Sequence, residues 1–321
     1  MDWRADYDAL SYEPVSVPEP VAESVRRFMD HYHLNYGAFD FAVTPAKPLG
    51  VLRVQPRRAV AVHRRRHQVT DRRGPRRPSA RSRRMTAPAD PARDLRTALA
   101  HRLTTPGDPW RAAFETVPRH VFVPSIHEQA EDGRWATITP ENPHYWEAVY
   151  SDRALTTQLA DGTPTSSSSQ PSLMLEMLHA LDVADGHRVL EVGTGTGYNA
   201  ALLSHRLGDS RVTTMDVDPD LTGAAARRLG EAGHHPAVRV GDGAHGVPDR
   251  APYDRIIATC GLPSVPWPWI EQAGEGTVIV VPIGWGVARL TVHDDAAEGA
   301  FLPGGAYFMP RRTGAVAPDF A

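Results

Sequence analysis

The sequence predicts an α/β fold whose core is a doubly wound, mostly parallel sheet. Three observations carry that prediction. From Asp185 onward, short β-rich runs alternate with helix-patterned stretches. The first of those runs opens onto a glycine-rich turn, and the next two lead into acids, Asp216 and Asp242. Repetition of strand, turn and helix gathers the loops at one edge of a sheet, where open α/β folds bind ligands.

In chain order, residues 21–32 (VAESVRRFMDHY) space Val21, Val25, Phe28 and Met29 as one helical face. Residues 34–43 (LNYGAFDFAV) alternate as a strand does. Residues 49–84 have no apolar periodicity. Their arginines cluster as Arg64-Arg65-Arg66, Arg72-Arg73, Arg76-Arg77 and Arg83-Arg84 between Pro and Gly, and such a segment is expected to be disordered. Met85 opens a third segment, in which residues 91–103 read as a helix. Strands are expected at 189–192, 211–216, 237–240, 254–259 and 277–282, with helices at 199–207 and 220–232. Three regions result: 1–48, 49–84 and 85–321.

Composition narrows the function classes. A hydrophobic content of 41% suffices for a real core. No run of 18 apolar residues is present, so no membrane-spanning helix is expected. The N-terminus is charged and lacks the apolar stretch of a secretory signal, which points to a cytoplasmic protein. Cys260 is the only cysteine, so an internal disulfide and a multi-cysteine metal site are excluded. The net charge of −3 is unevenly spread. Residues 51–84 hold thirteen arginines, no lysine and one acid, Asp71. That tract could bind nucleic-acid phosphates with strong salt dependence. It lacks interleaved aromatics and a recognised nucleic-acid fold, so this role is disfavoured.

The strongest motif is the stretch RVLEVGTGTGY, from Arg188 to Tyr198. Glycines at 193, 195 and 197 permit a tight turn and close approach of backbone to a ligand. Their spacing does not match the dinucleotide fingerprint G-x-G-x-x-G. Instead Glu191 precedes them, an acid able to hold an ammonium group directly or through water. Asp216 ends the next strand, where a carboxylate can accept from both hydroxyls of a ribose. Asp242, between Gly241 and Gly243, can accept from an adenine amino group. The alternative reading makes each acid a solvated loop residue. The set as a whole favours a nucleoside-bearing ligand.

These residues, with Val117-Pro-Arg-His-Val-Phe-Val-Pro124, Asp152-Arg-Ala-Leu155, Ser167-Ser-Ser-Gln-Pro171, Ala251-Pro-Tyr-Asp-Arg-Ile-Ile257 and Val281-Pro-Ile-Gly284, resemble the protein-L-isoaspartate O-methyltransferase family over roughly residues 108–313. The Ser-Gln-Pro segment discriminates, because generic methyltransferases lack it. The family pattern there reads Thr-Ile-Ser-Gln-Pro, which maps the active-site serine to Ser169. Ser167-Ser168 replaces Thr-Ile, inside a run of four serines that could also be read as a flexible linker. The resemblance implies the S-adenosylmethionine-dependent methyltransferase (Rossmann-like) fold and S-adenosyl-L-methionine as cofactor. It further implies Ser168, Gln170, Glu191, Gly193, Thr194, Gly195, Asp216, Asp242 and Gly243 as cofactor contacts, and no metal. The partner is an isoaspartyl- or aspartyl-containing protein or peptide, and the enzyme is expected to be a monomer. A carboxylate is already a nucleophile at pH 7, so alignment and desolvation can carry the chemistry without a strong base. A small-molecule methyltransferase on the same fold is the competing enzyme class, and the Ser-Gln-Pro segment argues against it.

Other conspicuous residues carry weaker signals. His234-His235 reads as loop rather than metal site. Trp267-Pro-Trp269 is expected to pack over the sheet, with a substrate wall as the alternative, and Cys260 to pack near the fourth strand end. Residues 20–45 resemble the late part of an ATP-grasp peptide ligase, where the strand bearing Asp40 precedes one reading approximately Glu-Cys-Asn-Pro-x-Gly-Gln-Trp. That second strand is absent. With one choice of synonymous codons, residues 54–60 read one base further on as Cys-Asn-Pro-Gly-Gly-Gln-Trp. The expectation is a ligase tail, out of frame from about residue 47, joined to an enzyme starting at Met85. A ligase neighbour implies a dedicated tailoring methyltransferase that esterifies an aspartate of a modified ribosomal peptide and promotes aspartimide formation.

Overall fold

The computed structural model describes residues 92–312, apart from 131 and 295. The expected helix at 21–32, strand at 34–43 and Arg-rich tract lie outside the described residues.

The large sheet has seven strands: β5 (Val189–Val192), β6 (Val212–Asp216), β7 (Ala237–Val240), β8 (Tyr253–Ala258), β9 (Ala273–Ile283), β10 (Gly286–His293) and β11 (Ala296–Phe301). Their order is β11-β10-β9-β8-β5-β6-β7. Strands β5 to β9 run parallel, while β10 and β11 join antiparallel. All five expected strands are present. The last begins four residues earlier than its apolar run, at Ala273, because its first residues have polar or small side chains that periodicity does not register. The order reverses at β5, whose neighbours β6 and β8 lead away in opposite directions. A crevice therefore opens beyond the carboxyl end of β5. Every residue of β5 is buried, as expected for a central strand covered on both faces.

Helices fill the connections. All three helices predicted within the described residues appear: that at 91–103 spans Arg93–Leu103, and the other two are α6 (Tyr198–Leu207) and α7 (Pro219–Glu231). Helix α7 starts at a strong N-cap: Asp218 accepts from the backbone of Asp220 and Leu221, and Pro219 supplies a preset φ at the first position. Before them come α1 (Arg93–Leu103), α2 (Arg111–Thr116), α3 (Arg119–Phe122), α4 (Pro143–Val149) and α5 (Pro171–Leu181). A short α8 (Trp267–Glu271) follows β8.

A second sheet was not predicted. It has four antiparallel strands in the order β2-β1-β3-β4: β1 (Ile126–Gln129), β2 (Trp135–Ile138), β3 (Leu155–Ala160) and β4 (Thr163–Ser168). Three of the four serines, 166–168, therefore lie in a paired strand rather than a flexible linker, and Ser169 follows its end. Leu155 pairs with Ser168 and Thr156 with Ser167. Immediately beyond, α5 buries Met174, Met177, Leu178 and Leu181 almost completely. Each such side chain contributes roughly 1.5–3 kcal/mol. The Ser169–Gln170 junction is thus held between a paired strand and an anchored helix.

Candidate active site

A cavity of about 310 Å³ lies beyond the carboxyl end of β5. Ser168, Ser169, Gln170, Glu191, Gly193, Thr194, Gly195, Asp216 and Gly243 all line it. Asp242 does not. It lies on an adjoining groove that shares Met215 with the cavity wall.

The glycine turn is fixed by backbone bonds to the next strand. The N–H groups of Gly193 and Thr194 both donate to Met215 O, at 2.9 and 3.0 Å. Gly195 N–H donates to Asp216 Oδ2 at 2.9 Å. Gly193 has φ +101°, and a Cβ there would lie 2.6 Å from Thr259 Oγ1. Gly243 is excluded from bearing a side chain by packing alone: its Cβ would come within 2.4 Å of Val192 Cγ1. Trp269, fully buried, donates its indole N–H to Gly243 O at 2.8 Å and holds that turn.

Glu191 is fully buried, and both its oxygens are taken. Asn199 Nδ2 donates to Oε1 at 2.7 Å and Thr214 Oγ1 to Oε2 at 2.6 Å. Thr194 and Thr214 hydroxyls are 2.7 Å apart and extend this network to the glycine turn. Burial pushes the Glu191 carboxyl up to about 7, against the opposing pull of those two hydrogen bonds. Glu191 lines the cavity together with Asn199, whose buried Oδ1 has no hydrogen-bond partner among the described residues.

The serine side is organised by Arg119, a residue given no role in the sequence reading. Its guanidinium is fully buried and donates to the carbonyls of Val149, Ser151, Arg153, Ser168 and Ser169 at 2.9–3.4 Å. It also donates to Ser168 Oγ, from Nε at 3.3 Å and Nη2 at 3.2 Å. Its Cζ sits 5.8 Å from the centroid of the buried Tyr198 ring. Burial lowers Arg119 to about 10, which leaves it charged at neutral pH. The Ser168 hydroxyl therefore faces this cation, while Ser169 lies on the cavity wall with its carbonyl tied behind it. Gln170 Nε2 donates to Ser172 Oγ at 2.9 Å.

Arg311 and Arg312 enter the wall from the strap that follows β11. Arg311 pairs with Asp242. Arg312 lies 3.2 Å from Asp218 and 3.7 Å from Asp216. Asn199 could have been suspected from its place two residues past the last glycine. Arg119 and Arg311 could not, because their partners are 30–50 and 69 residues away in sequence.

The weaker candidates resolve in place. His234 lies 3.3 Å from Asp209, and its ring meets His205 edge-on. Trp269 packs over the sheet as expected, whereas Trp267 is exposed, and neither lines the cavity. Cys260 does line it, with burial pushing its thiol up to about 12.

The model of the family described as protein-L-isoaspartate(D-aspartate) O-methyltransferase (PCMT) matches residues 137–302. A protein-L-isoaspartate O-methyltransferase from Methanoculleus marisnigri is 34% identical over 204 residues, covering 62% of this chain and 81% of that protein. One from Xanthobacter autotrophicus is 40% identical over 174 residues, covering 54% and 68%. A solved structure of a protein-L-isoaspartate O-methyltransferase aligns with a TM-score of 0.56 at 27% identity, over 70% of this chain and 66% of that one. A Plasmodium falciparum structure described in the same terms, in complex with S-adenosyl-L-homocysteine, aligns with a TM-score of 0.52 at 14% identity, over 68% and 98%. At that identity the second likeness speaks for the fold.

Proposed function

The chain belongs to the protein-L-isoaspartate(D-aspartate) O-methyltransferase family, and from that premise we propose how its residues divide the work. It is an S-adenosylmethionine-dependent enzyme that methylates the carboxylate of L-isoaspartyl residues in proteins or peptides. The observation that carries the residue assignment is that Ser169, the glycine turn and Asp216 all line one cavity.

The donor set suits the cofactor. Glycines 193 and 243, where a Cβ would clash, together with an acceptor at Asn199 and a donor at Arg311 Nε that lack partners among the described residues, suit a ligand carrying both an ammonium and a nucleobase. In this reading Gly193, Thr194 and Gly195 receive the amino-acid portion, with Asn199 accepting from its ammonium and Glu191 behind it. Asp216 takes the ribose hydroxyls, while Asp242 and Gly243 flank the base. Ser168 and Gln170 complete the wall. When bound, S-adenosylmethionine supplies a methyl group on a positively charged sulfur, which a carboxylate oxygen can displace. The chain's own task is to orient that carboxylate and exclude water. Ser169 does the first: its hydroxyl donates to the substrate carboxylate and its backbone is fixed by Arg119. No general base is needed, since the nucleophile is already ionised.

A cavity of about 310 Å³ is at the low end for ligand sites and is largely filled by a cofactor of this size. Only the acceptor side chain of the substrate then enters, and its main chain crosses the mouth. Tyr307 lines that mouth, and its ring lies 5.2 Å from Trp285, which is 72% exposed on the turn between β9 and β10. These aromatics support a peptide over a small-molecule acceptor.

The test is methyl transfer to an L-isoaspartyl peptide, to its aspartyl isomer and to small carboxylic acids. Preference for the isoaspartyl peptide is expected, and equal rates on small acids would overturn the reading. Ser169→Ala should keep S-adenosylhomocysteine affinity within about twofold while turnover falls roughly 100-fold. Unchanged turnover would remove Ser169 from the mechanism.

The ligase-like residues 20–45 motivate a second reading, in which the substrate is one aspartyl peptide shaped by an ATP-grasp ligase and residues 85–321 are the catalytic unit. Methylation of that peptide in preference to generic isoaspartyl peptides would support it. An upstream coding frame that cannot be read as a ligase would remove its basis. A monomeric, cytoplasmic enzyme completes the proposal. Among the described residues, no helix is long and apolar enough to cross a membrane.

A further inference from the structure

The acids around the cavity differ in their counter-ions. Asp242 pairs with Arg311, and Asp216 and Asp218 both lie within 3.7 Å of Arg312. Glu191 has no ion pair among the described residues. It is fully buried and meets only neutral donors, Asn199 Nδ2 at 2.7 Å and Thr214 Oγ1 at 2.6 Å. A carboxylate so placed takes up a proton more readily than it carries an unpaired charge.

Both partners of Glu191 can serve either protonation state. The Thr194 and Thr214 hydroxyls are 2.7 Å apart, and either can be the donor. With the acid ionised, Thr214 donates to it and accepts from Thr194. With the acid protonated, the chain can run the other way. Asn199 carries a donor at one end of its amide and an acceptor at the other, and a half-turn exchanges them. With Nδ2 on the carboxylate, Oδ1 is left as an acceptor without a partner among the described residues, on a side chain that lines the cavity. That orientation suits an ionised acid and a cationic ligand. The turned amide suits a protonated acid and sets N–H groups against such a ligand.

The other charged groups around the cavity leave this titration to Glu191. Asp216 faces it from the end of β6 and Cys260 from the segment after β8. Burial pushes the Cys260 thiol up to about 12 and also raises the Tyr198 phenol, so both stay neutral. Arg311 and Arg312, on the strap after β11, are engaged with their acids. Among the described residues, no histidine lines the cavity.

We propose that Glu191 and Asn199 form a proton-linked switch: an ammonium-bearing ligand enters as the counter-ion that Glu191 lacks, fixes the Asn199 amide with its oxygen toward the ligand, and displaces one proton from Glu191 to solvent. This rests on the cofactor assignment above. Burial holds the empty site's Glu191 carboxyl at about 7, the hydrogen bonds from Thr214 and Asn199 oppose that rise, and Asp216 adds to it. The proton competes with the ligand, so binding tightens as pH rises through about 7 and levels off above it. Asn199 is thus a positioning residue, through which the charge state of a buried acid sets the affinity for an amino-acid-bearing cofactor.

Isothermal titration of the full chain, in two buffers of different ionisation enthalpy, reads the proton directly and needs no turnover. S-adenosylhomocysteine carries the ammonium, whereas 5′-methylthioadenosine keeps the nucleoside and thioether without it. At pH 7 the unmodified protein is expected to release about half a proton per S-adenosylhomocysteine bound, and almost none near pH 8.5. Its affinity for that compound should be roughly eightfold weaker at pH 6 than at pH 7.5. Methylthioadenosine should bind with no proton released and no such pH dependence. Glu191→Gln should abolish the release and flatten the pH profile. Binding of S-adenosylhomocysteine without proton release at pH 7 would overturn the proposal. Equal release with methylthioadenosine, or release that persists in Glu191→Gln, would do the same. If the unmodified protein binds neither compound, the cofactor assignment itself fails.

Discussion

The two walls of the cavity are built by different means. On the glycine side, backbone N–H groups of the turn after β5 donate to Met215 O and to the Asp216 carboxylate at the end of β6. On the serine side, β4 and the Ser169–Gln170 junction are held by one buried arginine, bonded to carbonyls at 149, 151, 153, 168 and 169. The first wall uses chain neighbours and repeated strand geometry, so it tolerates change wherever no side chain is involved. The second concentrates the cohesion of three segments in a single side chain. The chemistry fits this division. In the proposed assignment, the glycine side would hold a large ligand by many contacts, whereas the serine side would hold one hydroxyl steady.

Removing Arg119 should separate the walls most sharply. Arg119→Met leaves buried carbonyls without donors and is expected to cost about 3–5 kcal/mol, enough to lower the melting temperature by roughly 10 °C. S-adenosylhomocysteine binding, measured below that temperature, should fall far less than turnover. Equal losses of both would show that the two walls are one unit.

Glu191 probes the opposite wall through pH. Its folded pKa of about 7 lies above the unfolded carboxylate value, so the folded state holds the proton more tightly. The stability contributed by that proton is complete below about pH 4.5 and is lost as pH rises through about 7. Glu191→Gln carries no charge to bury. Relative to the unmodified chain, it should gain on the order of 3 kcal/mol above pH 7 and nothing near pH 4.5. Denaturant melts at the two pH values give the comparison. A difference independent of pH would mean that Glu191 is already ionised when folded.

Gly193→Ala strikes the cofactor cradle without touching the serine side. The positive φ and the clash with Thr259 Oγ1 should weaken S-adenosylhomocysteine by about 10- to 100-fold, from a cost of roughly 1–3 kcal/mol. The KM for peptide at saturating cofactor should stay near its original value. The smallest effect is expected at the mouth. Trp285→Ala should raise the peptide KM about threefold and leave cofactor affinity unchanged, since an exposed ring contributes well under the energy of a buried one. A change in cofactor affinity instead would place the turn between β9 and β10 on the wrong wall.

The parallel strands and the acids at their ends were legible because their signals are local. A buried strand such as Val189–Val192 must be apolar, a turn such as that at Gly193 must lack a side chain, and α7 announces its start with Asp218-Pro219. The four-stranded sheet was not legible. Strand β4 is made of threonine, proline and serine, so neither alternation nor apolar content marks it, and only its pairing with β3 makes it a strand.

By itself the sequence determined the fold class, the glycine turn and the acids Asp216 and Asp242 at the strand ends, because each is written within a dozen residues and constrained by backbone geometry, while Ser169 was singled out by the resemblance of its Ser-Gln-Pro segment. Only the tertiary structure decided which donors Glu191 meets, that Ser168 faces Arg119, and that Arg311 lies against Asp242. Those are side-chain contacts between segments brought together by packing. A charged side chain's partner is set by which carbonyls and carboxylates the folded chain places within 3 Å or so, and that distance is unrelated to separation along the sequence.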